Sequence, residues 1–95
     1  MTVKLKTRTK LAEWQQKALH EGDCSRCGKH VGQLTVDHIV PIALLDMLDA
    51  TGLLRYNWEE NFELVCYPCN RFKSARLDMA NPKTIPLLKE LINKL

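Results

Sequence analysis

No run of apolar residues here approaches the roughly 18–20 that crossing a membrane requires, and the N-terminus has no apolar segment of the signal-peptide kind. Both absences lead to the expectation of a cytoplasmic protein without a membrane partner. Glycine and proline are scarce, four of each, while 45% of residues are hydrophobic and 26% charged, which excludes a disordered or fibrous chain. At 95 residues one domain spanning 1–95 is expected. Its core must be modest, so something further has to hold it together.

A strong excess of either charge is also missing. The net charge of +3 permits nucleic-acid binding without establishing it. The distribution says more. Lys4, Lys6, Arg8 and Lys10 occupy every second position of the N-terminal segment, and Arg71, Lys73 and Arg76 follow the last cysteine, while acidic residues concentrate between Asp46 and Glu63. The N-terminal charges read equally well as a solvated arm and as phosphate contacts.

Residues 9–20 carry a helical pattern with Thr9 as N-cap, Leu11, Trp14 and Ala18 on one face and Gly22 past the end. Trp14 reads as the anchor of that helix in the core. Residues 24–28 form a tight turn, residues 33–39 a strand ended by Pro41, and residues 43–54 a helix-like pattern interrupted at Gly52. Residues 62–66 give a second short strand. Pro68 and Cys69 suggest a turn from which residues 70–79 run as a helix. After Asn81 and Pro82, residues 86–95 place Leu87, Leu88, Leu91, Ile92 and Leu95 at helical spacing, which serves the core or a homodimer interface. The expectation is a small α+β protein: a basic arm and helix over 1–22, a core over 23–79 and a closing helix over 80–95.

The four cysteines are two Cys-x-x-Cys pairs, Cys24 with Cys27 and Cys66 with Cys69. Four thiolates close a tetrahedron around Zn²⁺, and a two-residue spacer lets each turn aim both sulfurs at one ion. A reducing cytosol disfavours disulfides, so zinc is the better explanation of the pairing. His30 is set aside as a ligand because four thiolates suffice. A closed site of this kind has no open position, so its zinc is expected to be structural. Zinc-coupled folding, worth on the order of 10 kcal/mol in small peptides, would compensate for the limited core. The 38 residues between Cys27 and Cys66 are far more than a compact zinc ribbon needs, so another unit is inserted there.

That insert holds Val36-Asp37-His38-Ile39-Val40-Pro41, then Asn61-Phe62-Glu63-Leu64-Val65-Cys66, and the chain continues as Cys69-Asn70-Arg71-Phe72-Lys73. Over residues 24–77 this arrangement resembles the HNH nuclease family. The resemblance implies a ββα-metal core braced by two zinc knuckles, with His38, Asn61 and Asn70 at the three signature positions. Asn70 stands where many members have histidine. Asparagine also occurs there in active members, including phage recombination endonucleases that resolve branched DNA.

Phosphodiester hydrolysis needs an activated water and stabilisation of charge on the phosphoryl oxygens. His38 suits the general base, because an imidazole titrates near neutrality. By resemblance, a bend brings Asp37 to a second, catalytic ion with Asn70, and Asn61 bonds the backbone that carries His38. A carboxylate and an amide oxygen suit Mg²⁺ or Mn²⁺. Helix N-capping remains an alternative role for Asn70. Arg71, Lys73 and Arg76 are candidate phosphate contacts or solvated helix residues.

The family implies a DNA endonuclease leaving 5′-phosphate and 3′-hydroxyl ends, in a bacterial or phage-infected cell. A protein partner such as phage packaging machinery fits family habit, and both monomer and homodimer stay open. The competing reading is a non-catalytic zinc module that binds nucleic acid or protein on a decayed nuclease scaffold.

Overall fold

The computed structural model describes residues 10–73 and 76–95. Thr9 and the arm residues Lys4, Lys6 and Arg8 therefore lie outside the described residues. Helix α1, Lys10–Ala18, buries Leu11 and Ala18 and leaves most of its remaining surface to solvent. Lys10 belongs to this helix, where its ammonium lies 3.3 Å from Glu59.

Two short antiparallel sheets follow. Strands β1 (Gly22–Asp23) and β2 (His30–Val31) pair as a hairpin around the first cysteine turn. Strands β3 (Thr35–His38) and β4 (Phe62–Val65) pair with Asp37 opposite Glu63 and His38 opposite Phe62. Their register is held by burial: Asp37, His38, Phe62, Glu63 and Val65 are all buried.

The connection between β3 and β4 is two helices. Helix α2, Ile42–Leu48, starts directly after Pro41, and α3, Leu53–Asn57, starts after Gly52. Gly52 has φ 76°, a left-handed conformation that disfavours any residue with a Cβ, so the apolar pattern breaks there. Asp49 closes the junction by accepting the amide hydrogens of Thr51 and Leu54 at 3.1 and 2.9 Å.

Helix α4, Tyr67–Lys73, begins three residues earlier than the sequence suggests, and residues 76–80 are not helical. Pro68 sits in its first turn. Proline is tolerated there because that N–H has no intrahelical acceptor in any case. The same correction applies to α5, Thr84–Lys94, whose first turn contains Pro86. The Thr84 hydroxyl donates to the Asp78 carbonyl at 2.6 Å and fixes the entry to that helix.

The core lies under the β3 to α2 corner. Ile39, Val40, Leu45 and Trp58 pack against Leu87 and Leu91 of α5, with Leu44, Leu54 and Leu88 at the margin. Ile92 of the same helix and Leu95 just past its end are exposed, at 71% and 63%. Strands β3 and β4 with α4 make the ββα unit, and α1 and α5 flank it. The molecule is thus a small α+β fold with a ββα-metal core.

Candidate active site

The cysteine turns converge. The four Sγ atoms lie within 4.8 Å of one another, and Cys27 and Cys66, from opposite turns, are 3.8 Å apart. A tetrahedron with Zn–S bonds of about 2.3 Å has sulfur–sulfur edges of about 3.8 Å, so the cluster can hold zinc. The first turn is shaped for it. The Cys24 amide donates to Lys29 O at 2.8 Å, Gly28 N donates to Cys24 O at 2.9 Å, and Gly28 adopts φ 80°. The amides of Arg26 and Cys27 point at Cys24 Sγ from 3.3 and 3.4 Å.

These donors set the charge of the cluster. Burial pushes the Cys24 thiol up, but the amides of Cys27, Cys66 and Arg26 outweigh it and bring it down to about 6. Cys69 is pushed up to about 12, first by burial and then by the surrounding thiols. His30 stands apart, with Nδ1 2.8 Å from Asp23 on the hairpin surface.

The second site sits at the end of β3. His38, 9% exposed, packs its ring edge-on to Phe62 and places Nε2 3.0 Å from the carbonyl of Arg55. A carbonyl can only accept, so the neutral ring carries its hydrogen on Nε2 and has Nδ1 as its basic position. Burial holds the pKa of His38 below its ordinary value. The Arg55 carbonyl opposes that shift, and the positive charges of Arg55 and Lys73 reinforce it. The imidazole is therefore neutral at physiological pH.

Asn61, fully buried, grips the next residue but one. Its Oδ1 accepts from Val40 N at 2.7 Å and its Nδ2 donates to Val40 O at 3.0 Å, while Ile39 N donates to Asn61 O at 2.9 Å. The backbone leaving His38 is thereby tied on both sides of its peptide groups.

Asn70 is inside α4, where its own amide donates to Cys66 O. It is not the N-cap of that helix. Its Nδ2 donates to Thr35 Oγ1 at 3.0 Å and to Val36 O at 3.2 Å, so the amide group is oriented by its nitrogen end against β3. Asp37, His38 and Asn70 line one cavity of about 460 Å³, together with Val36, Pro41, Ile42 and Ala43.

Asp37 is 3% exposed, and its Oδ2 has no hydrogen-bond partner among the described residues. Burial raises the pKa of this carboxyl, and the positive charge of Lys73 only partly offsets that. A buried carboxylate oxygen without a hydrogen bond, on the same cavity as an amide whose nitrogen is already committed, is a donor set that fits a hard divalent cation. Glu63, directly opposite Asp37 in the sheet, adds a second buried carboxylate that Asn81 and Lys83 approach at 3.4 and 3.6 Å.

The basic residues separate. Arg71 and Arg76 are exposed on and just beyond α4. Arg71 donates to the Tyr67 hydroxyl at 3.0 Å, and Arg76 donates to the carbonyls of Phe72 and Lys73. Lys73 departs from its expected place at the surface. It is 4% exposed, with Nζ donating to His38 O at 2.8 Å and lying 3.4 Å from Asp37 Oδ1. Three residues beyond Asn70, it follows the same helix face inward, where Asp37 supplies the counter-ion that burial demands.

Arg26 was not singled out from the sequence. Its guanidinium lies 3.9 Å from Asp37 Oδ2 and pairs with Asp78. Its position between two ligating cysteines was the available signal, since those turns pack beside β4, where Ser25 N donates to Leu64 O at 3.0 Å.

The HNH endonuclease family model matches residues 24–76, more than half of the chain. No curated protein and no solved structure gives a match. The matched span runs from the first zinc-type cysteine through β3, β4 and α4, and on that match the chain belongs to the HNH endonuclease family.

Proposed function

We propose that this chain is a divalent-metal-dependent endonuclease that hydrolyses DNA phosphodiester bonds, with His38 as general base. The observation that carries the reading is the joint placement of Asp37, His38 and Asn70 on one cavity, with Asp37 Oδ2 buried and without a hydrogen bond among the described residues. Asp37 and Asn70 would hold Mg²⁺ or Mn²⁺. Such a cation supplies charge stabilisation for the phosphoryl oxygens and the leaving group.

The remaining work belongs to the chain. His38, neutral and oriented through Nε2 by the Arg55 carbonyl, accepts the proton of the attacking water at Nδ1. Asn61 fixes the backbone from which His38 projects, and Lys73 ties His38 O to the carboxylate of Asp37. Arg71 and Arg76 contact phosphates of the bound strand, an interaction that does not depend on base sequence and weakens with salt. The four-cysteine site takes Zn²⁺ and serves structure only.

The test is incubation of the zinc-loaded protein with supercoiled plasmid, with and without added Mg²⁺ or Mn²⁺. Nicked or linear product appears only with the added cation. A non-catalytic zinc module would bind the plasmid and leave it intact under every condition. Cleavage supported by added Zn²⁺ alone would contradict the assignment of oxygen ligands to the catalytic ion.

A further inference from the structure

Phe72 presents 80% of its surface to solvent on α4. The Arg76 guanidinium lies 5.4 Å from the ring centroid. Beside them is a cavity of about 540 Å³ walled by Phe72, Pro68 and Leu77 and rimmed by Arg26, Lys73 and Arg76. Asp78 on that rim is paired with Arg26, and the buried Lys73 is paired with Asp37, which leaves the exposed Arg76 as the surplus positive charge of the rim.

An apolar slot with an aromatic wall and a neighbouring guanidinium is a surface on which a nucleobase stacks, while the charge of Arg76 suits its phosphate. The slot also adjoins the candidate active site. Arg26 and Lys73 stand on its rim and reach the two oxygens of Asp37, at 3.9 and 3.4 Å. A strand whose phosphate lies at Asp37 and His38 therefore brings a neighbouring nucleotide to the slot. A base that is paired and stacked in a duplex has no free face to offer it.

We infer that this cavity binds the base of an unpaired nucleotide beside the scissile phosphate, so that the preferred substrate is DNA with a single-stranded or extrahelical nucleotide at the cut site. The position of the scissile phosphate rests on the nuclease reading above, whereas base binding by Phe72 does not.

The experiment uses the full zinc-loaded chain at fixed salt without added Mg²⁺ or Mn²⁺, so that no DNA is cut. Fluorescence anisotropy compares a fully paired duplex with the same duplex carrying one extrahelical 2-aminopurine. The parent protein binds the second roughly tenfold more tightly, as stacking of one base provides, and quenches the 2-aminopurine. Phe72→Ala abolishes both the preference and the quenching, and Phe72→Trp retains them.

A cooperative melt and the zinc content of each variant verify folding, which an exposed ring should not control. Equal binding of the two duplexes by the parent would overturn the inference. So would a Phe72→Ala protein that still prefers and quenches the extrahelical base. Plasmid cleavage by the parent with Mg²⁺ or Mn²⁺ is scored separately, so failure of the nuclease reading and failure of the base site give different results.

Discussion

The tautomer of His38 decides what the site can do. Its Nε2 is committed to the Arg55 carbonyl, and burial disfavours the imidazolium, so the ring is a base and not an acid at neutral pH. Cleavage by the parent is therefore flat through neutrality and falls only below the ordinary histidine value of 6.5, once the depressed pKa of His38 is reached. A half-maximal rate above pH 7 would contradict this. The same shift acts on stability. The unfolded chain binds the proton first as pH falls, so the contribution of neutral His38 is present above 6.5 and lost as pH drops through the folded value. Lys73 carries a separate prediction. Replacing it with Met leaves the Asp37 carboxylate buried with only the more distant Arg26 for a counter-ion, which costs on the order of 3 kcal/mol in a denaturant titration. A Lys73→Met protein as stable as the parent would place Lys73 outside the machinery of the site. The sequence showed that Lys73 shares a helix side with Asn70, but not that this side turns inward. Lysine is seldom buried, and its counter-ion lies 36 positions earlier in the chain.

Among the elements, α1 and α5 lie outside the family match, yet α5 closes the core directly beneath the residues following His38. Leu91 packs with Ile39 and Val40, and the Trp58 indole donates to Glu90 at 3.2 Å. Leu91→Ala is expected to cost about 3 kcal/mol, the usual loss for a buried leucine cavity, read as a lower midpoint in urea with zinc still bound. An unchanged midpoint would show that α5 is not part of the folding unit. Both helix starts that the sequence misplaced have one cause. Pro68 reads as a turn ahead of α4 and Pro86 as the first residue of α5, but proline is tolerated throughout a first turn, where a missing N–H costs nothing, so each helix begins one or two residues before it. Conversely, Gly52 and Pro41 mark boundaries that the structure keeps, because a left-handed φ and a fixed φ act locally whatever packs around them. What depends on long-range pairing, such as Glu63 facing Asp37, was not legible because register is a property of two strands together.

At the scale of the whole molecule, two clusters share the task of holding the chain: a small apolar core and the cysteine site, where Cys24 and Cys66 pack against Val65. The paired cysteines were readable from their spacing, whereas Asp37-His38 and Asn70 were singled out through the family resemblance that their motifs carry. Cys66→Ser should lose zinc and the cooperative transition together; cooperative unfolding without bound zinc would reject a structural role for the ion. The central claim is that catalysis belongs to His38 and structure to the cysteines, two sites joined through β4, α4 and the approach of Arg26 to Asp37. It is tested most directly by measuring bound zinc and plasmid cleavage with Mg²⁺ or Mn²⁺ on the same preparations of parent and His38→Ala. The account predicts equal zinc in both and a rate at least about 10²-fold lower in the variant, the usual minimum for loss of a general base. A His38→Ala protein that retains its zinc and cuts as fast as the parent would contradict it.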